Sequence, residues 1–117
     1  MGLHLQMINL DCADVAAQAR FWSEALGIPV DATDGNDFMR TLGTANPALP
    51  RMMLLKVPEG KTVKNRMHLD LHADDRAAEV ARVVALGAVH LRDHDEWGVQ
   101  WTVLADPEGN EFCIAQG

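Results

Sequence analysis

The chain has 117 residues, the length of one compact domain, and its 48% hydrophobic and 23% charged residues are ordinary for a globular protein. A formal net charge of −7 argues against a nucleic-acid backbone or an anionic membrane as the partner. There is no apolar run of ~20 residues and no secretory leader, and two cysteines are too few for a disulfide framework, so we expect a cytoplasmic protein with reduced thiols.

The first half of the sequence predicts a strand, a helix and three more strands. Apolar and polar residues alternate from Leu3 to Asp11, and Asp14 then precedes a helical apolar pattern as its N-cap. The helix ends at Leu26-Gly27. The three strands that follow are predicted at 29–32, 37–42 and 52–57, with a turn at Asp34-Gly35-Asn36 and a loop containing Pro47 and Pro50.

The second half repeats this order after a short polar linker. We predict module one at 1–57, the linker at 58–65 and module two at 66–117, together forming a single domain. Module two contains strand 66–72, helix 76–86, and strands 88–92, 99–105 and 111–115. The order βαβββ-βαβββ predicts an α+β fold with mostly antiparallel pairing beyond the first strand of each module. Two such modules side by side form a concave sheet cleft.

Alternation along the strands separates a face under the helices from a polar face. Met67, Leu69 and Leu71 are apolar, as are Phe112 and Ile114, and we expect all five against the helices. The opposite face then carries His68, Asp70, Glu111 and Cys113, with Met7 and Asn9 from the first strand. A concave face with convergent polar groups is typical of a ligand site. The alternative is a sheet that is polar on one face because that face meets water.

Several other residues have more than one interpretation. Trp97 and Trp101 suit an aromatic wall for a planar ligand, a core contact or a dimer contact. The segment Arg92-Asp-His-Asp-Glu96 is most simply a solvent-exposed loop. Cys113 is expected to line the cleft as a small apolar side chain, or to act as a nucleophile if its pKa were lowered. Glu111 and Asp70 are either acid–base groups, solvated carboxylates or partners of Arg66.

The turn sequence Asp106-Pro-Glu-Gly-Asn-Glu-Phe112 is similar to the Asp-Pro-x-Gly-Asn turn of the vicinal oxygen chelate superfamily. That superfamily includes glyoxalase I, bleomycin-resistance proteins and extradiol dioxygenases. Asn65-Arg-Met-His-Leu-Asp-Leu, and Phe21-Trp22 followed by Leu26-Gly27, fit the same pattern. The resemblance covers essentially the whole chain and is closest to the small bacterial glyoxalase-like subgroup. It implies the glyoxalase/bleomycin-resistance/dioxygenase fold and a homodimer.

The resemblance also implies where a divalent metal would bind. Metal-dependent members take ligands from the first, fourth, fifth and eighth strands. Those positions fall here on Met7, on the apolar segment Met53 to Leu55, on His68 and on Cys113. Such a set does not suit Mg²⁺ or Mn²⁺, which prefer oxygen ligands, although Met7, His68 and Cys113 could hold a softer ion. We therefore expect no cofactor, with a divalent metal as the alternative.

The preferred function is binding of an apolar or aromatic small molecule in the sheet cleft, around a degraded metal site. The residues expected to bind the ligand are Met7, Asn9, His68, Asp70, Trp101, Glu111 and Cys113. The alternative is a lyase or isomerase of glyoxalase type, with His68, Asp70 and Glu111 as candidate catalytic residues and His68 as base or as ligand of a nonstandard metal. A third possibility is an interaction module with an empty cleft.

Overall fold

The computed structural model of the chain describes residues 2–32, 36–46 and 48–117. Two compact units divide it, Met1–Gly60 and Lys61–Gly117, with the boundary inside the predicted linker. Within these residues each unit has one sheet and one helix, which confirms the α+β prediction. Asp34, Gly35 and Pro47, which carry the predicted turn and part of the predicted loop, lie outside the described residues. In the part of the chain that the structure describes, no helix is long and apolar enough to cross a membrane.

The first unit contains β1 (Met7–Cys12), α1 (Val15–Leu26), β2 (Met39–Leu42) and β3 (Arg51–Lys56). The strand order is β1-β3-β2, with β1 parallel and β2 antiparallel to β3. Asp14 caps α1 by accepting a hydrogen bond from Ala17 N, and Gly27 ends it with a φ of 69°. The helix contacts β2 and β3 and buries Trp22.

One predicted strand of the first unit is wrong. Residues 29–32 form only an isolated bridge, between Val30 and Leu42. Pro29 has no N–H for a ladder. The Asp31 carboxylate instead accepts hydrogen bonds from the Thr41 and Thr44 hydroxyls, which hold this segment as an irregular connection.

The second unit contains β4 (Leu69–Ala73), α2 (Arg76–Leu86), β5 (Val89–Glu96), β6 (Val99–Ala105) and β7 (Glu111–Gln116). The strand order is β4-β7-β6-β5, with β4 parallel to β7 and the other pairs antiparallel. The helix α2 contacts all four strands. Its side of the sheet is marked by the buried Leu104, Phe112 and Ile114 and by Thr102, whose hydroxyl accepts a hydrogen bond from Arg76.

Two predictions about the second unit are wrong. The first strand begins at Leu69 rather than Arg66, and Met67 is 73% exposed instead of packing under the helix. The side-chain oxygen of Asn65 accepts a hydrogen bond from the backbone N–H of Glu111 at 3.0 Å. A side chain, rather than a strand backbone, is therefore the hydrogen-bond partner of β7 before β4 begins. The charged segment 92–96 is part of β5 rather than a loop, because it pairs with β6.

Candidate functional site

A pocket lies on the face of the second sheet that is turned away from α2. Its volume is about 140 Å³, and it is lined by Lys64, His68, Arg92, His94, Trp101, Val103, Glu111 and Cys113. Six of these residues belong to β5, β6 and β7. The remaining two, Lys64 and His68, precede β4. All eight therefore belong to the second unit.

Strand register places the six strand residues on one face. His94 pairs with Trp101, Arg92 with Val103, and Val103 with Cys113. Paired residues on neighbouring strands share a face, and so do alternate residues along one strand. Glu111 and Cys113 thus lie opposite the buried Phe112 and Ile114, as the alternation in the sequence predicts.

A bulge in β5 turns Arg92 and His94 toward the pocket. His90 pairs with Leu104 and Arg92 with Val103, so Leu91 has no partner in the ladder. The extra residue shifts the alternation by one position. If Leu91 instead paired with Val103, Arg92 would pair with Thr102 and lie on the α2 side with it. The edge strand therefore contributes a guanidinium and an imidazole to the site.

The turn before β7 fixes Glu111 and Cys113. The Asp106 carboxylate, almost fully buried, accepts hydrogen bonds from the backbone N–H groups of Glu108 and Asn110, both at 2.9 Å, and from Asn110 Nδ2 at 3.1 Å. Gly109 lies within the turn and has a φ of 90°, a conformation that favours glycine. The Asp-Pro-x-Gly-Asn sequence that resembles the superfamily motif therefore forms a turn. This turn leads into β7, the strand that carries Glu111 and Cys113.

Glu111 is held between two cations. Its carboxylate accepts a hydrogen bond from Lys64 Nζ through Oε1 and lies 3.6 Å from Arg92 Nη1 through Oε2. The hydrogen bond from Lys64 is the main cause of a lowered pKa of the Glu111 carboxyl, and the charge of Arg92 adds to it. The sequence suggests Arg66 as a partner of Glu111, but these contacts are made by Lys64 and Arg92 instead. Glu111 is consequently an anion near neutral pH and a poor proton donor.

His68, Asp70 and Cys113 form a compact cluster at the β4 side of the pocket. The His68 Nε2 atom lies 3.2 Å from Asp70 Oδ1, and the three potential ligand atoms all lie within 4.8 Å of one another. Burial raises the pKa of the Cys113 thiol, and the nearby charge of Asp70 raises it further. A thiol with a raised pKa is a weak nucleophile at neutral pH, which argues against the covalent role.

Two stacked aromatic rings form a wall at the hairpin end of the pocket, and a third ring stacks outside it. His94 and Trp101 are stacked, with centroids 4.7 Å apart and planes inclined by 18°. Trp97 is stacked on Trp101 at 6.1 Å and 14°, but it is 88% exposed and does not line the pocket. A core role for Trp97 is therefore wrong, whereas Trp101 lies at the site.

The predicted ligand-binding residues are distributed over both units. His68, Trp101, Glu111 and Cys113 line the pocket, and Asp70 contacts His68 beside it. Met7 and Asn9 lie on β1 in the first unit, with Met7 half-buried and Asn9 exposed. The site residues missed from the sequence are Lys64, Arg92, His94 and Val103. Two of them, Arg92 and His94, could have been found from the sequence. They are alternate residues just before a two-residue turn, Trp97-Gly98, and this spacing is typical of a hairpin strand with both side chains on one face.

Comparison with protein families decides the classification. Residues 7–115 match the model of the glyoxalase-like domain. The chain belongs to the glyoxalase-like domain family. A comparison with curated protein sequences finds no match.

Solved structures similar to this glyoxalase-like chain support the same fold. One is a glyoxalase/bleomycin resistance protein/dioxygenase family enzyme from Burkholderia phytofirmans, with a TM-score of 0.79, 19% identity, and coverage of 97% of this chain and 98% of that one. Another is a mutant of the fosfomycin resistance protein FosX from Listeria monocytogenes complexed with Mn(II) and 1S,2S-dihydroxypropylphosphonic acid (0.78, 11%, 100% and 91%). A third is TioX from Micromonospora sp. (0.65, 16%, 97% and 98%). At these identities the similarity establishes the fold.

Three residues of this glyoxalase-like domain, His68, Asp70 and Cys113, could hold a divalent metal ion. Asp70 supplies an oxygen beside His68, but Cys113 supplies sulfur. One carboxylate with one thiol and one imidazole does not suit a hard ion such as Mn²⁺. Zn²⁺ accepts nitrogen, oxygen and sulfur ligands, so the set His68, Asp70 and Cys113 fits that ion better. Binding would require loss of the Cys113 proton, which its raised pKa opposes.

Proposed function

We propose that this chain binds a small aromatic compound in the pocket of the second unit. The observation that carries the proposal is the stacked pair His94 and Trp101 in the wall of a concave pocket with convergent polar groups. The pocket volume of about 140 Å³ suits one aromatic ring, since an apolar protein cavity of about 150 Å³ can hold benzene. Flat π-systems stack favourably on such side chains.

Binding is favoured over covalent catalysis because two potentially reactive groups are held in unreactive states. The Cys113 thiol has a raised pKa, and the Glu111 carboxylate is shared by Lys64 and Arg92. Neither arrangement activates a nucleophile or a proton donor. Both suit a pocket whose charges stay fixed while a ligand enters and leaves.

A cytoplasmic homodimer is the assembly we propose. β5 is an edge strand of its sheet, and it exposes the apolar Val89 and Leu91. Exposed strand edges are commonly covered by pairing with another chain. Light scattering coupled to size exclusion should give twice the chain mass of 12.8 kDa, and a monomer at every concentration would contradict the dimer.

The binding proposal is tested by ligand-observed NMR with a set of single-ring aromatic compounds. We expect saturation transfer to at least one ring compound with the wild-type chain. Trp101→Leu should abolish it, because the ring that lines the pocket is lost. Trp97→Leu is the matched control: this exposed ring does not line the pocket, so binding should persist. The proposal fails if no compound binds, or if Trp101→Leu binds as well as the wild type.

A lyase or isomerase is the second candidate, and the His68–Asp70 contact of 3.2 Å supports it. Asp70 can orient the His68 ring so that its free nitrogen removes a proton next to a carbonyl group. If Zn²⁺ is held by His68, Asp70 and Cys113, it would supply polarisation of that carbonyl. Loss of turnover with retained ligand binding in His68→Gln would support catalysis. Unchanged turnover in that variant would exclude His68 as the base.

A further inference from the structure

The pocket carries more positive than negative charge, although the chain as a whole is acidic. Its wall includes the cationic side chains of Lys64 and Arg92 and a single carboxylate, Glu111. The whole chain has a formal net charge of −7. A local excess of positive charge on an acidic protein attracts anions to that place specifically.

The two cations keep donors available for a ligand. Lys64 and Arg92 share one carboxylate, one on each oxygen, and both remain about half exposed or more. Lysine has three N–H donors and arginine five, so one shared carboxylate leaves most of them unoccupied by it. Glu111 is only 16% exposed, which places it beneath the cations rather than in competition for the pocket opening.

The neighbouring acidic groups lie away from the Arg92 side of the pocket wall. Asp70 is on β4, at the opposite edge of the sheet from β5, beside His68 and Cys113. Asp93 contacts Thr102 and Arg76, which mark the α2 side of the sheet. Adjacent residues of a strand point to opposite faces, and the register after the bulge at Leu91 turns Arg92 toward the pocket and Asp93 toward the helix.

We propose that the ligand class is a single-ring aromatic carboxylate. Its ring packs beside Trp101 and His94, and its carboxylate accepts hydrogen bonds from Arg92 and Lys64. Arg92 is suited to this role because a guanidinium binds a carboxylate in a planar, two-point arrangement. This inference rests on the proposed function, since it names the chemistry of the compound bound at the same pocket.

The test compares benzoate, benzyl alcohol and benzylamine, which share a ring and differ in charge. Dissociation constants are measured by NMR titration in low-salt buffer near pH 7. Benzoate should bind at least about fivefold more tightly than benzyl alcohol, the factor expected for one unscreened charge pair in water. Benzylamine should bind most weakly.

Variants at Glu111 and Arg92 give effects in opposite directions. Glu111→Gln removes the negative charge that partly neutralises the two cations and should tighten benzoate binding about fivefold, with little change for benzyl alcohol. Arg92→Gln and Lys64→Gln should each weaken benzoate binding by a similar factor. Arg82→Gln is the control, because this arginine lies on α2 and pairs with Glu79. Two-dimensional NMR spectra of each variant check that it is folded, and Lys64 is exposed enough that its variant should fold normally.

Each outcome separates the two proposals. If benzyl alcohol binds as tightly as benzoate and its binding depends on Trp101, the aromatic-binding function stands and the carboxylate inference is wrong. If Glu111→Gln weakens benzoate binding, Glu111 contacts the ligand itself and the charge argument is overturned. If none of the three compounds binds, both the inference and the proposed function fail for single-ring ligands.

Discussion

His94 and Trp101 face each other across β5 and β6, with ring centroids 4.7 Å apart. They are directly paired residues, so the same hydrogen-bonded ladder that forms the hairpin also forms the aromatic wall. Their pairing is set by the two-residue turn Trp97-Gly98, in which both residues have positive φ, and the bulge at Leu91 accommodates the one extra residue between this pair and the His90–Leu104 pair. The pocket is therefore a product of hairpin geometry, and changes in the hairpin should affect it in defined ways.

Deletion of Leu91 should preserve the pocket. His90 pairs with Leu104 and Arg92 with Val103, so removing the unpaired residue leaves a regular ladder on both sides. We expect a folded protein that still shows a nuclear Overhauser effect between the His94 and Trp101 rings. Deletion of Asp93 is the matched control, because it also leaves a regular ladder and keeps His94 opposite Trp101, but it moves Arg92 opposite Thr102, on the α2 side. The account of the bulge is wrong if the Leu91 deletion loses the ring contact, or if Arg92 in the Asp93 deletion still gives nuclear Overhauser effects to the Glu111 side chain.

Removal of the Asp106 carboxylate should destabilise the turn that leads into β7. Asp106→Ala leaves three buried or half-buried donors of Glu108 and Asn110 without their acceptor, and we expect a loss of about 3 kcal/mol in the free energy of unfolding. Asp106→Asn keeps one acceptor oxygen and should cost less, about 1–2 kcal/mol. Urea unfolding measures both values. Equal stability of the alanine variant and the wild type would show that the turn does not depend on this side chain.

Two adjacent valines of α2 provide a matched test of its packing. Val83 is 2% exposed and Val84 is 41% exposed. Val83→Ala should lower the free energy of unfolding by about 1.5–3 kcal/mol, through lost burial and a residual cavity. Val84→Ala should change it by less than about 0.5 kcal/mol, because alanine is the better helix former and little contact is lost. Thermal or urea unfolding that ranks the two variants in the reverse order would contradict the observed face of the helix.

Asp93 should contribute to stability in a pH-dependent manner. The Thr102 hydroxyl donates to Asp93 Oδ1 at 2.7 Å, and this bond, with those of His90 and the charge of Arg76, lowers the pKa of the Asp93 carboxyl. A lowered pKa in the folded state stabilises the protein above the ordinary aspartate pKa of about 3.9, and that contribution is lost as the pH falls through the folded-state pKa. Urea midpoints from pH 5 down to pH 2.5 should therefore fall more steeply in the wild type than in Asp93→Asn. Parallel curves would show that Asp93 makes no such contribution.

The helices and the central strand β6 could be predicted from sequence because their signals are local. Asp75 caps α2 by accepting from Ala78 N, and the predicted range 76–86 is the observed helix. The prediction 99–105 likewise matches β6. A capping carboxylate, a glycine after the helix and strict alternation each act within a few residues, so one sequence shows them directly.

The pocket was only partly predictable because two of its causes are not local. The strand segment 92–96 is charged and lies at a sheet edge, so both faces meet solvent and the apolar alternation of a buried strand is absent. The bulge at Leu91 is visible only once the partner strand is aligned. The pairing of Glu111 with Lys64 joins residues 47 positions apart. Sequence reasoning found the residues of β7 and Trp101, and it missed the cations that surround Glu111.

The most direct test of the central claim is to map a bound aromatic carboxylate on the folded chain. Amide shifts of ¹⁵N-labelled protein are followed during titration with benzoate. We predict that the shifted signals concentrate at β5, β6 and β7 around Arg92, Trp101 and Cys113, and that the indole N–H of Trp101 shifts with them. Shifts confined to other parts of the chain, or no shifts at millimolar benzoate, would contradict the assignment of this pocket as the binding site.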